Sequence, residues 1–135
     1  MSFGNIESAL VTAYTGGNFG LSTAYDNVHF TPVDGTAWAE VTIIPSQPEP
    51  SSIGVHGIDD HVGVFQIALY YPKHKGRADI VAKADAIAAV FYAGAKFAYN
   101  GQDVYITSCG RSGGKLVDGW FSIIISVNYL AQVLR

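Results

Sequence analysis

Val64-Phe65-Gln66-Ile67-Ala68-Leu69-Tyr70-Tyr71-Pro72 leads through Lys73-His74-Lys75-Gly76-Arg77 to a stretch spaced by Ile80, Ala84, Ile87 and Phe91. This passage decides the fold class. Phe65, Ile67, Leu69 and Tyr71 alternate with Val64, Gln66, Ala68 and Tyr70. A period of two predicts a strand over about 61–71. Pro72 stops it, because proline has no amide to donate to a ladder. The basic residues make a turn. From about 77 to 92 the apolar residues change to helical spacing, which predicts a helix with one buried stripe. Asp79 and Lys83 stand four apart on it, the spacing of a helical ion pair. Its alanines leave a thin helix suited to lying flat on a sheet.

The segments after this helix are strands. Residues 96–99 and 102–108 flank Asn100-Gly101, the strongest hairpin turn signal in the chain. Residues 109–118 read as a glycine-rich loop. The last strand, about 119–130, sets Phe121, Ile123, Ile125, Val127 and Tyr129 against Ser122, Ser126 and Asn128. Before the deciding stretch, Ile6, Ala9, Leu10 and Ala13 predict a helix over 3–14, with Ser2 as its N-cap. A strand is expected at about 23–30, then a turn at Pro32 and Asp34-Gly35. Residues 37–44 form another strand. Ala39, Val41 and Ile43 share one face, and the other is mixed, with Trp38, Glu40, Thr42 and Ile44.

Residues 45–60 differ in kind. Pro45, Pro48 and Pro50 alternate with Ser, Gln and Glu, and Gly54 and Gly57 follow. Three prolines in six residues argue against an interior strand. The expectation is a long exposed loop or extended arm. The order is then helix, two or three strands, helix, three strands. Helices do not alternate with single strands, so a parallel α/β fold is disfavoured. The predicted class is α+β: a mainly antiparallel sheet with two helices packed on one face, plus the long proline-rich loop or arm. Residues 1–135 are expected to form a single domain.

Only 14% of the 135 residues are charged, and 49% are hydrophobic, where about 25% charged is ordinary. So few charges cannot cover a small protein's surface, and part of that surface is expected to meet other proteins. High hydrophobicity with low charge excludes a disordered chain. The lone Cys109 excludes a disulfide framework and any multi-cysteine zinc site. The apolar runs, such as Ile123-Ile124-Ile125, are far too short for a spanning helix, and Met1-Ser2-Phe3-Gly4-Asn5 lacks the start of a signal peptide. A net charge of −3 is not that of a strongly basic nucleic-acid binder. Folding in a reducing cytoplasm fits this composition.

Candidate chemistry is sparse. Cys109-Gly110-Arg111-Ser112-Gly113-Gly114-Lys115-Leu116 resembles a phosphate loop but has Cys109 where the pattern puts Gly, and Leu116 where it puts Ser or Thr. Asp59-Asp60-His61 with His56 holds metal-ligating atoms, but neighbours on an extended chain point opposite ways. Arg111 near Cys109 could lower the thiol pKa, although packing is the commoner role of such a cysteine. Lys73-His74-Lys75-Gly76-Arg77 could touch phosphates, or be a solvated turn. No catalytic residue, cofactor or metal is expected, and no enzyme activity.

The order of the pieces resembles a known family. Ala24-Tyr25-Asp26-Asn27-Val28-His29-Phe30-Thr31-Pro32 is similar to the Tyr-acidic-Asn-x-x-Phe-x-Pro signature of tail terminator-like proteins of long-tailed, non-contractile phages. The Trp strand from Trp38 to Pro45, the strand from Gly63 to Pro72, the Gly-rich turn at Gly76-Arg77-Ala78-Asp79, the Ile87–Phe91 pair and the last strand from Gly119 to Tyr129 follow in the family's order. The resemblance implies a virion structural protein. Such a subunit would cap the tail tube as a hexameric ring, stop its polymerisation and join the tail to the head–neck complex, with DNA passing through the lumen. The implied partners are further copies of the chain, the tail tube protein and a neck or head-completion protein. Genomic DNA would pass through transiently, without sequence-specific binding, and no membrane is involved. The implied location is the virion tail at the head–tail junction, and the host cytoplasm during assembly.

Pro48, Glu49, Pro50, Asp59, Asp60, Lys75, Arg77, Arg111 and Lys115 are the candidate assembly-interface residues, because they lie in the segments best placed to reach a neighbour. The alternatives are another neck, head–tail joining or tail tube subunit, set apart by position in the particle, and a small enzyme or ligand-binding domain. The last would need a closed pocket uniting Asp60, His61 and Arg111.

Overall fold

The computed structural model describes residues 3–25, 28–74 and 76–134. Helix α1 covers Phe3–Gly16, and strand β1 Ser22–Tyr25. Strands β2, Trp38–Pro45, β3, Glu49–Pro50, and β4, Ile58–Pro72, precede helix α2, Ala78–Val90. Strands β5, Lys96–Tyr99, β6, Gln102–Arg111, β7, Lys115–Val117, and β8, Trp120–Leu134, complete the chain. The proposed cap Ser2 and the signature residues Asp26 and Asn27 lie outside the described residues.

The sheet is mixed. Its order is β1-β2-β4-β8-β6-β5, with β3 added to β4 and β7 to β8. β1 runs parallel to β2, and the other pairings are antiparallel. A parallel pair cannot be closed by a tight turn, so the expected strand at 23–30 stops at Tyr25 and the chain crosses back to Trp38.

The centre of the sheet is β4 against β8, paired without a break from Ile58↔Leu134 to Pro72↔Trp120. Both strands are longer than their alternation predicts. Ala131 and Val133 continue the inward face of β8 and are buried. Phe65, Ile67, Leu69, Ile123, Ile125 and Val127 are almost fully buried under the helices. Ile80, Ala84, Ile87 and Phe91 form the buried stripe of α2 as expected. On α1 the stripe is Ile6, Ala9, Leu10 and Tyr14, while Ala13 is only half-buried. Lys83 does not pair with Asp79; its Nζ donates to the Phe19 carbonyl and ties α2 to the end of α1.

Two segments expected as loops are structured. The proline-rich stretch is a hairpin: β2 runs to Pro45, Ser46 N donates to the Val62 carbonyl at 2.9 Å, and β3 pairs with the start of β4. Prolines are admitted there because β3 is a two-residue edge strand. The glycine-rich stretch 109–118 is mostly strand, because its backbone finds partners along β8: β6 reaches Arg111, Ser112 N donates to the Ile124 carbonyl at 2.8 Å, and β7 follows. Asp118-Gly119, with φ of 49° and 84°, closes β7 onto β8 as a two-residue turn. Asn100-Gly101 has nearly the same angles, 49° and 80°, and closes β5 onto β6. The chain exposes 7505 Å², against about 6,800 Å² from area scaling for its mass.

Candidate assembly surfaces

The hairpin gathers five of the candidate residues at one end of the sheet. Glu49 stands opposite Asp60, and Pro50 opposite Asp59, with Pro48 just before them. Asp60 Oδ1 accepts from Gln132 Nε2 at 3.2 Å. Residues 51–57 form the tip. Its ends are locked: Ser51 N and Oγ donate to the Ile58 carbonyl at 2.8 and 3.1 Å, and Ile58 N donates to Ser52 Oγ at 2.8 Å. This closure holds Ile53 99% exposed and Val55 81% exposed. The result is an acidic stem carrying an apolar tip.

The other end of the sheet carries both signs, with Arg77 and Lys115 near Asp79, in the first turn of α2, and Asp118, in the turn from β7 to β8. β4 leaves at Pro72, Arg77 stands at the start of α2, and Lys115 lies opposite Ser122 on β7. His74, Gly76, Arg77, Leu116 and Phe121 line a groove of about 370 Å³. Leu116 is 65% exposed at its edge. Gly114 lets the chain pass over the Phe121 ring, since a Cβ added there would overlap it. Arg111 stands apart, opposite Ile125, with Nη1 donating to the Ser112 carbonyl at 3.3 Å. Lys75 is outside the described residues. The fifteen residues of β4 separate the two ends, which at strand rise is about 45 Å.

Between the poles, the sheet face turned away from the helices carries a mixture of half-buried side chains, among them Val64, Gln66, Ile124, Ser126 and Leu130. Toward the Pro72 end of β4 it holds an aromatic group that sequence reading did not assemble. Trp38 stacks on Tyr70 with centroids 4.2 Å apart, meets the edge of Trp120 at 6.0 Å and tilts against Phe30 at 5.3 Å. Alternation places Trp38 and Tyr70 on one face, but only the register Trp38↔Tyr70 and Pro72↔Trp120 makes them neighbours.

The geometry does not converge on catalytic chemistry. Asp60 reaches Gln132 on one face, while His61 turns inward against the Phe3 ring at 4.8 Å. Arg111 sits seven residues further along β8, at Ile125 rather than Gln132. The pocket that would unite Asp60, His61 and Arg111 is therefore not formed. A groove of about 460 Å³ lies beside the acidic stem, lined by Ile58, Gly101, Gln102, Asp103, Tyr105, Gln132 and Leu134. Its one carboxylate, Asp103, pairs with Lys96 at 3.5 Å. Burial pushes the Cys109 thiol up, opposite to the lowering expected from Arg111. Among the described residues no three His, Cys, Asp or Glu side chains stand close enough to hold a metal ion. No helix among them is long and apolar enough to cross a membrane.

Comparison with known proteins gives one family and one fold. A family model described as phage tail terminator protein matches residues 5–129. A solved structure matches with a TM-score of 0.74 at 21% identity, covering 98% of this chain and 97% of the other. At that identity the likeness speaks for the fold. No curated protein matches the sequence.

Proposed function

We propose a role that proceeds from one fact: the chain belongs to the phage tail terminator protein family. It is thus a structural component of a phage tail. The finer reading is that it forms a ring of six copies on the finished tail tube. That ring stops tube growth and offers its upper surface to the neck or head-completion protein. The family match over residues 5–129 carries this reading.

Physical features support it. Low charge and a mixed sheet face suit a subunit whose flanks are covered by neighbours in a closed head-to-tail ring. Six copies at −3 each total −18, and a ring of that net charge lacks the overall basicity that holds DNA by its phosphates. Assembly takes place in the host cytoplasm before the ring enters the virion.

The test is assembly on purified tail tubes, imaged by electron microscopy. The expected result is one density ring at one end of each tube and no further elongation when tube protein is added. Tubes that stay bare and keep growing in excess chain would overturn the reading.

A further inference from the structure

The hairpin at one end of the sheet and the groove at the other are complementary to each other. Glu49 and Asp60 stand directly opposite on the hairpin stem, with Asp59 beside them. Like charges facing across a strand pair are destabilising, so a cation placed there would relieve a cost the isolated chain bears. The tip beyond the stem is apolar through Ile53 and Val55, held in solvent by its own hydrogen bonds. The groove at the far end has the opposite design. Leu116 and Phe121 make an apolar floor, and Arg77 and His74 line its rim. Lys115 lies next in the chain to Leu116. α2 starts there without a side-chain cap, and its one first-turn acid is Asp79.

We infer that the hairpin tip of one copy docks in the groove of the next copy, with Ile53 and Val55 on Leu116 and Phe121, and the Glu49–Asp60 stem against Arg77. This rests on the terminator reading and names the contact between ring neighbours that reading leaves open. The two surfaces lie about 45 Å apart on one molecule, by strand rise along β4, so a chain cannot satisfy both by itself. The contact is heterologous: each copy offers a tip and receives one, which is how a ring propagates. A seven-residue tip is smaller than the roughly 800 Å² per partner of a stable interface. The tip therefore sets register between neighbours held by other surfaces as well.

The experiment traps the contact covalently. Two versions of the chain are made with Cys109→Ser, one with Val55→Cys and one with Leu116→Cys, the second lengthened by a tag so that products differ in size. They are mixed at high concentration and low salt under mild oxidation. The mixed disulfide is expected to exceed its statistical share. Glu49→Arg on the Val55→Cys chain is expected to lower it by about fivefold, the scale of one well-placed ion pair. Arg77→Glu on the other chain should then restore it. A mixed product at its statistical share, or one indifferent to both charge reversals, would overturn the inference. Tube capping by Glu49→Arg chain separates the two readings. Normal caps without the mixed disulfide leave the terminator role standing and remove this contact. A strong, charge-dependent mixed disulfide with bare tubes does the reverse.

Discussion

The two halves of strand β4 have the same partner and opposite fates. From Phe65 to Leu69 its inward residues are sealed under α2, at 0% exposure. From Ile58 to Val62 the same ladder continues onto β8, but it carries a hairpin whose tip residues Ile53 and Val55 lie in water. Hydrogen bonding is continuous along both halves, so the ladder does not distinguish them. Helix cover does. One half contributes stability through buried apolar area, and the other extends the same rigid strand to a place where it can meet something else.

The sharpest way to test that contrast is a charge in the covered half. Ile125→Asp, next to Ile67 across the ladder, is expected to cost about 4 kcal/mol or more and to leave the chain insoluble, because it strands a carboxylate in the core. Soluble, native-like expression would mean the inward face is assigned wrongly. Ile67→Ala removes apolar volume without adding charge, and a loss of about 2–5 kcal/mol is expected in urea unfolding. A change under half a kcal/mol would show that β4's covered half is not the stabilising one.

A pH series probes the same cover. Burial raises the Tyr14 and Tyr129 hydroxyls above 10.0, and for Tyr129 the charge of Glu7 adds to it. The folded state therefore holds these protons more tightly than the unfolded chain. Their contribution is complete below pH 10 and is lost as pH rises through the raised folded values. Urea midpoints are expected to fall between pH 9 and about 11, and Tyr129→Phe should flatten that fall.

The hairpin on the other half should respond least. Replacing Ser51–Ile58 by Asn-Gly, to close the stem with a two-residue turn, is expected to change stability by about 1 kcal/mol or less, while capping of tail tubes is lost. A large drop in melting temperature would make the tip part of the core after all. Ile53→Ser is the smallest case, within about 0.5 kcal/mol by thermal melting, since the side chain is 99% exposed.

Much of this was open to sequence reading. Local periods named the elements: Phe65 to Tyr71 as a strand, Ile80 to Phe91 as a helix face, Asn100-Gly101 as a turn. Those signals are local because side-chain direction repeats every two residues in a strand and every 3.6 in a helix. Asp118-Gly119 carried an equally good turn signal and was absorbed into a supposed loop, because the glycines at 110, 113 and 114 masked β7. The proline-rich stretch was read as an arm for a similar reason. Proline argues against an interior strand, and nothing local marks β3 as an edge.

The chain's own pattern thus determined that there would be a sheet, two helices laid on it, a family likeness and a low share of charged residues. Tertiary structure alone decided which strands meet. β4 and β8 pair across more than forty residues of intervening chain, and β1 joins β2 in parallel. From that pairing come the two poles, with the acidic hairpin stem at one end of a fifteen-residue strand and the groove lined by Arg77 at the other. Periodicity tells a residue which face it takes. Only the closing of distant segments into register tells it which neighbours it has, and it is the neighbours that make a surface.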